Sequence, residues 1–282
     1  MICLITGATG EIGSRVVQLL LEQGARPRIF VRDAAKARAR YQDRVYIFVG
    51  DLGDSRSLQL ALEGAEALFL VNSGPAIPLR DEAVAQTAKA AGVTRLVKLS
   101  SMDAQQNVGT GVWHARGEAA IRATGIAYTF LQPTGFMSNA LHWAASIKTQ
   151  GIVGSPTGEG RIPFIHPDDI AAVASKVLRT PEYNGQSLPI TGPEALSYRE
   201  MTTKIGRALG RPLELQSLDE QQESERMLAS GDSEEIVAVH LSIYRAIREG
   251  RLAAVNDNVE RILGQKPRTF DQWIQENIAA FL

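Results

Sequence analysis

The stretch "ITGATGEIG", residues 5–13, joins an apolar run to an amphipathic one and decides how the chain is read. Gly7, Gly10 and Gly13 recur every three residues within it. Between a strand and a helix, such glycines allow a tight turn, close approach of backbone to a ligand, and close packing of the helix on the strand. The helix that follows opens with unpaired backbone N–H groups and a partial positive charge, which suit phosphate. In that context the triplet, spaced GxxGxxG, points to dinucleotide binding.

The surroundings supply the context. "MICLIT", "RPRIFVR", "RVYIFVG", "EALFLVN", "TRLVKLSS" and "AYTFLQ" are short apolar runs of the kind covered on both faces of a sheet. Helix-like segments Glu11–Gln23, Ser55–Glu63, Leu79–Ala91 and Trp113–Ala123 separate them, several closing on glycine. Strand and helix in alternation predict an α/β, doubly wound parallel sheet (a Rossmann fold). After residue 150 the pattern loosens into "GIVGSPTGEGRIPFIHPDD", a loop with one short strand. Amphipathic helices follow in "PDDIAAVASKVLRT", "SYREMTTKIGRALG", "EEIVAVHLSIYRAIREG" and "PRTFDQWIQENIAAFL". In the third of these, Ile236, Val239, His240, Ile243, Tyr244 and Ile247 share one face, with core packing as the default reading. The expected division is 1–150, a dinucleotide-binding domain, and 151–282, a smaller C-terminal substrate lobe. A strand and helix around 165–192 would return to the sheet.

Composition narrows the function. Thirty basic and 31 acidic residues leave a net charge of -1, too little basic excess for nucleic acid as the main partner. No apolar run approaches the roughly 20 residues that cross a bilayer, so no membrane role is expected. A single cysteine, Cys3, excludes an internal disulfide and suits a reducing cytoplasm; its apolar strand predicts a buried, inert thiol. The four histidines have no metal-ligand spacing, and no metal is expected.

The ends of the strands carry the next signals. About twenty residues after the glycines an acid would hold the ribose of NAD, but "IFVRD" puts Arg32 there. Its planar fork suits the 2′-phosphate of NADP, while Asp33 next door keeps NAD open. In "GDL", Asp51 could accept a hydrogen bond from the adenine amino group. In "LVNSG", Asn72 and Ser73 would lie beside the middle of the cofactor.

Taken together, "TGATGEIG", "VRD", "GDL", "GVTRLVKLSS", "HARGEAAIRATGIAYTFLQPTGFMSN", "FIHPDDIAAVA", "ITGPEALSYREM" and "PRTFDQW" resemble, in order and over nearly the whole chain, the NmrA-like, atypical short-chain dehydrogenases. The bacterial NAD(P)H:quinone oxidoreductases and triphenylmethane reductases belong there, as does NmrA itself, a redox-sensing regulator. The resemblance implies that Gly7, Thr9, Gly10, Glu11 and Ile12 wrap the pyrophosphate and Arg32 meets the adenosine phosphate. Val71, Asn72 and Ser73 would border the nicotinamide ribose, and Ser100, Pro133, Thr134 and Phe136 would flank the nicotinamide. Phe136, Met137 and Asn139 would begin the substrate pocket.

One feature of ordinary short-chain dehydrogenases is missing. Their Tyr-x-x-x-Lys pair, which gives a proton to a carbonyl oxygen as hydride reaches carbon, has no counterpart after "LSSM". His114 and Glu118 stand at i and i+4 instead. The histidine could be a proton donor with its charged form favoured by the carboxylate, or half of a plain helix-face pair. Trp113 reads as a packing or pocket-wall residue, and His166 as a loop-packing residue or part of the cleft wall. Without a positioned acid, carbonyl reduction is disfavoured and already electrophilic, conjugated acceptors are favoured: quinones, iminium ions, cationic dyes. The expected protein is an NADPH-dependent oxidoreductase acting on a small-molecule hydride acceptor as a monomer or homodimer. The alternative is a non-catalytic NAD(P)-sensing regulator that binds a protein partner.

Overall fold

Each apolar run of the first half becomes a strand, and each amphipathic run a helix. A computed structural model describes residues 1–282. The first elements are β1 (Cys3–Thr6), α1 (Glu11–Glu22), β2 (Arg28–Val31), α2 (Ala34–Tyr41), β3 (Tyr46–Val49) and α3 (Ser55–Leu62). Then come β4 (Ala67–Leu70), α4 (Ile77–Ala90), β5 (Arg95–Leu99), α5 (Gly111–Thr124) and β6 (Tyr128–Pro133). The remainder runs α6 (Ala144–Gln150), β7 (Ile152–Ser155), β8 (Arg161–Ile162), α7 (Pro167–Leu178), β9 (Gln186–Ile190) and β10 (Leu196–Ser197). It closes with α8 (Tyr198–Leu209), β11 (Glu214–Ser217), α9 (Glu220–Ala229), α10 (Glu234–Arg248), α11 (Asn258–Leu263) and α12 (Phe270–Asn277).

These elements fall into two compact units, and the chain passes between them several times. The first takes Met1–Gln105, Gly111–Pro133 and Pro167–Pro189; the second takes Gln106–Thr110, Thr134–His166 and Ile190–Leu282.

The first unit is the doubly wound sheet. Its strand order is β3-β2-β1-β4-β5-β6-β9, and every pairing among β1 to β6 is parallel. The order reverses between β1 and β4, the switch point at which open α/β sheets bind their ligands. All four residues of β1 and of β4 are buried, as continuous apolar strands require when helices cover both faces. Ile12, Val16, Val17 and Leu20 form the buried stripe of α1. Helix α1 packs with α7, and α4 packs with α3 and α5. A second apolar cluster runs from Leu4 through Leu58, Leu68, Val84 and Ile121 to Phe130. Cys3 is buried, and burial first of all pushes its thiol pKa up to about 11, an inert thiol as expected. Helix α2 had no apolar stripe to announce it: only Ala37 and Tyr41 are buried, and Asp33 caps it by accepting from the Lys36 N–H.

The second unit has its own core of Met137, Ile147, Val153, Phe164, Met201, Ile205, Phe270, Trp273 and Phe281, with the Phe270 and Trp273 rings stacked. Strands β7 and β11 pair in parallel, and β8 and β10 antiparallel. A capping box between Ser197 and Glu200 starts α8. Helix α10 departs in part from its expected apolar stripe. Ile247 is buried, but Ile236, Val239, His240, Ile243 and Tyr244 are only half-buried, and Val237 and Ala246 on the neighbouring positions complete the packing. Ile243 and Tyr244 pack against the core of this unit alongside Ala246 and Ile247, so the C-terminal turns of the stripe meet the core as the spacing suggested.

Candidate active site

The glycine turn is pinned from three sides. Thr6 Oγ1 donates to the carbonyls of Phe69 and Val71 and accepts from the Val71 N–H at 2.7 Å, tying the end of β1 to the end of β4. Gly7 takes φ +60°, a left-handed conformation that favours glycine, and its carbonyl accepts from the Gly10 N–H at 2.9 Å. A Cβ on Gly13 would stand 2.2 Å from the Gly7 carbonyl oxygen, so only glycine lets α1 come this close. From α2, the Tyr41 hydroxyl donates to the Ala8 carbonyl at 2.5 Å. Gly10, the N-cap of α1, offers no side-chain cap, so the first N–H groups of the helix stay open to an anion. Ile12 is 4% exposed, which leaves its backbone as what it can offer a phosphate. Thr9 and Glu11 lie at the surface of the turn.

Arg32 is exposed at the end of β2, while the neighbouring Asp33 carboxylate is engaged in capping α2. Asp51 Oδ1 accepts from the Gly53 N–H at 2.9 Å and shapes its own turn. At the end of β4, Asn72 is held at both ends of its amide. Its Nδ2 donates to Asp81 Oδ1 at 3.1 Å, and its Oδ1 accepts from the Ser73 N–H at 2.9 Å. Asp81 Oδ2 in turn lies 2.6 Å from Lys98 Nζ, with both side chains fully buried.

Helix α5 does not assemble the expected His–Glu pair. The Glu118 carboxylate accepts from Ser100 Oγ at 2.5 Å and from Gln132 Nε2 at 2.8 Å, and its other oxygen lies 3.4 Å from Arg122. His114 has no share in it. Its Nδ1 is buried without a hydrogen-bond partner. Burial first, and the Lys98 charge second, hold the imidazole neutral with a pKa pushed down to about 3. Of the two readings, the charged histidine favoured by its i, i+4 carboxylate is not what the structure shows: Ser100 and Gln132 engage that carboxylate, and the charge that acts on His114 is the positive one of Lys98. Trp113 is half-buried on the same helix.

The chain leaves β6 at Pro133, and Thr134 donates its N–H to the Ile190 carbonyl. In the second unit, Phe136 bridges Ile165, and the Met137 N–H donates to the Ile165 carbonyl. Phe136 is half-buried, Asn139 exposed and Met137 buried in the core. His166 is 1% exposed, with Nε2 3.1 Å from Glu276 Oε2 on α12.

The model of the NAD(P)H-binding family matches residues 7–181. The chain belongs to this NAD(P)H-binding family. An NAD(P)H azoreductase of Xenophilus azovorans is 35% identical over 283 residues, which span 99% of this chain and 98% of that protein. A (4-alkanoyl-5-oxo-2,5-dihydrofuran-3-yl)methyl phosphate reductase of Streptomyces griseus is 36% identical over 281 residues, 99% of this chain and 98% of that one. Among solved structures, the NADPH-dependent quinone oxidoreductase QOR2 of Escherichia coli complexed with NADPH superposes with a TM-score of 0.90. At 24% identity over 99% of this chain and all of the other, that likeness shows the shared fold. The protein is thus an NAD(P)H-dependent reductase, and none of its helices is long and apolar enough to cross a membrane.

The glycine turn of this reductase fits a pyrophosphate on its own geometry. The positive φ of Gly7, the close approach of α1 that Gly13 permits and a helix start without a side-chain cap leave the first backbone N–H groups of α1 available to an anion. Asp81 and Lys98, which lie behind Asn72, escaped the sequence reading. The available signal was the lysine in "LVKLS", one charge inside an apolar strand covered on both faces, which demands a buried partner. Tyr41 gave no signal, because its bond to Ala8 spans 33 residues.

Proposed function

We propose that this reductase transfers hydride from NADPH to a conjugated electrophilic acceptor of the quinone, iminium or cationic-dye type. One observation carries the reading: α5, where a tyrosine–lysine pair would stand, offers only a histidine held neutral. A neutral imidazole can orient an acceptor through a hydrogen bond but supplies no ready proton. Acceptors that take hydride at an already electron-poor conjugated centre do not depend on one. The azoreductase named above acts, by its name, with NAD(P)H on a related class of conjugated molecule.

In this reading the backbone of Gly7, Thr9, Gly10, Glu11 and Ile12 binds the pyrophosphate, and Arg32 receives the 2′-phosphate that distinguishes NADP from NAD. Asp51 meets the adenine, and Val71, Asn72 and Ser73 border the nicotinamide ribose. Ser100, Pro133, Thr134 and Phe136 flank the nicotinamide, whose dihydro form supplies the hydride. Phe136, Met137 and Asn139 would begin the acceptor pocket, and Trp113 and His166 are the further candidates for it. His114 acts as a neutral hydrogen-bond donor to the acceptor. The protein would work as a monomer or homodimer in the cytoplasm, surroundings that the free Cys3 suits.

The test is NADPH and NADH oxidation against a panel holding a quinone, an azo dye, an iminium ion and an unactivated ketone. Turnover with one of the first three, faster with NADPH and absent with the ketone, supports the reading. Tight NADPH binding with no turnover on any of them sinks it.

A further inference from the structure

Lys98 and Asp81 pair in the interior of the first unit, on β5 and α4, and neither side chain is accessible. Stability does not account for such a pair. Taking both charges out of water costs more than their attraction reliably returns, and apolar residues of the same shape commonly hold a fold equally well. The surrounding backbone nonetheless accommodates it. Gly117 on α5 faces the carboxylate, and a Cβ there would stand 2.3 Å from Asp81 Oδ2. What a carboxylate provides here and a leucine could not is the acceptor for Asn72 Nδ2, 3.1 Å from Asp81 Oδ1. With its Oδ1 taken by the Ser73 N–H, the Asn72 amide is fixed from both sides at the end of β4, beside the sheet's switch point.

We propose that the Lys98–Asp81 pair is a positioning device for Asn72, shaping the turn after β4 that holds the nicotinamide half of the cofactor. Lys98 balances the charge of Asp81, Asp81 aims Asn72, and neither touches the cofactor. The inference rests on the assignment of Asn72 to the nicotinamide ribose.

The experiment measures binding, on the whole chain, of NADPH and of adenosine 2′,5′-bisphosphate, which carries the adenosine end alone. Lys98→Met with Asp81→Leu removes both charges and the acceptor; Lys98→Met with Asp81→Asn removes both charges and keeps an Oδ1 acceptor of the same shape. The leucine pair is expected to bind NADPH about tenfold more weakly, a difference of about 1.4 kcal/mol, and the bisphosphate unchanged. The asparagine pair is expected to restore NADPH binding to within about twofold, well inside that interval. Asn72→Ala should lose as much as the leucine pair, and combining the two should lose no more. If the leucine pair does not fold, Lys98→Met with Asp81→Ala reads the same lost acceptor with less bulk. Equal NADPH affinity in the leucine and asparagine pairs overturns the proposal, as does a parallel loss of both ligands, which marks a general structural role. Asn72→Ala binding NADPH like the parent has a separate meaning: the assignment of Asn72 itself fails, and the proposal with it.

Discussion

The Ser100 hydroxyl donates to Glu118 Oε1 at 2.5 Å, joining the end of β5 to the middle of α5 inside the core. Gln132 Nε2 reaches the same oxygen from β6, and Gln105 Nε2 donates to Gln132 Oε1 at 2.7 Å. Three strand-end and loop residues are thus ordered around one carboxylate that is 4% exposed. Glu118→Ala leaves the Ser100 and Gln132 donors buried without an acceptor, an expected loss of about 2–4 kcal/mol. Glu118→Gln keeps one acceptor oxygen and is expected to lose about 1 kcal/mol. Urea unfolding of the two variants checks the order.

His114 carries a pH signature. Its pKa is about 3 in the folded chain and near the ordinary 6.5 when unfolded. Between those values the unfolded state binds the extra proton, so stability rises with pH there, by up to about 1.4 kcal/mol per pH unit. The contribution is complete above pH 6.5 and is lost as pH falls toward 3. His114→Gln should flatten the stability profile in that window, and acid titration of unfolding for both proteins measures it. The same neutrality predicts that kcat/KM shows no ionisation of His114 between about pH 5 and 8.

Arg32 decides between the two nicotinamide cofactors. Losing a charge-assisted contact to the 2′-phosphate costs about 1.5–3 kcal/mol, so Arg32→Ala should weaken NADPH binding by about 10–150-fold. NADH binding should change little. Fluorescence titration with both cofactors reads the ratio, and equal losses for the two contradict the assignment.

Gly13→Ala and Gly10→Ala separate crowding from chemistry in the glycine turn. A Cβ at Gly13 meets the Gly7 oxygen at 2.2 Å, whereas one at Gly10 meets it at 3.2 Å. The first must push α1 away from β1, an expected cost of about 1–3 kcal/mol, with cofactor binding lost. The second is expected to be much milder. Thermal melts with and without NADPH distinguish them.

The fold was largely legible in the sequence because its signals are local. Continuous apolar strands, amphipathic helices and the glycine turn each declare themselves within a dozen residues, and the sheet follows from their alternation. Within the candidate site, the backbone geometry at Gly7 and Gly13 was legible, because it too is local. His114 and Glu118 show why. Their spacing is a true helix neighbourhood, but whether they pair depends on Ser100 and Gln132, which arrive from other strands. The Lys98–Asp81 pair is similarly non-local, and α2 was missed because its buried face is only Ala37 and Tyr41. On α10 the spacing marked Ile243, Tyr244 and Ile247, which do pack on the core, yet most of the stripe is only half-buried, since periodicity does not say how much of a face its neighbours cover.

Hydride transfer is tested most directly by a single-turnover experiment on the preformed NADPH complex. The complex is mixed rapidly with a quinone, with an azo dye and with an iminium ion, and the loss of NADPH absorbance is followed for NADPH and for cofactor deuterated at the transferred position. Oxidation of the bound cofactor by at least one acceptor is expected, slowed by deuterium and unaffected by pH across the neutral range. Bound NADPH that stays reduced in the presence of every acceptor would contradict it.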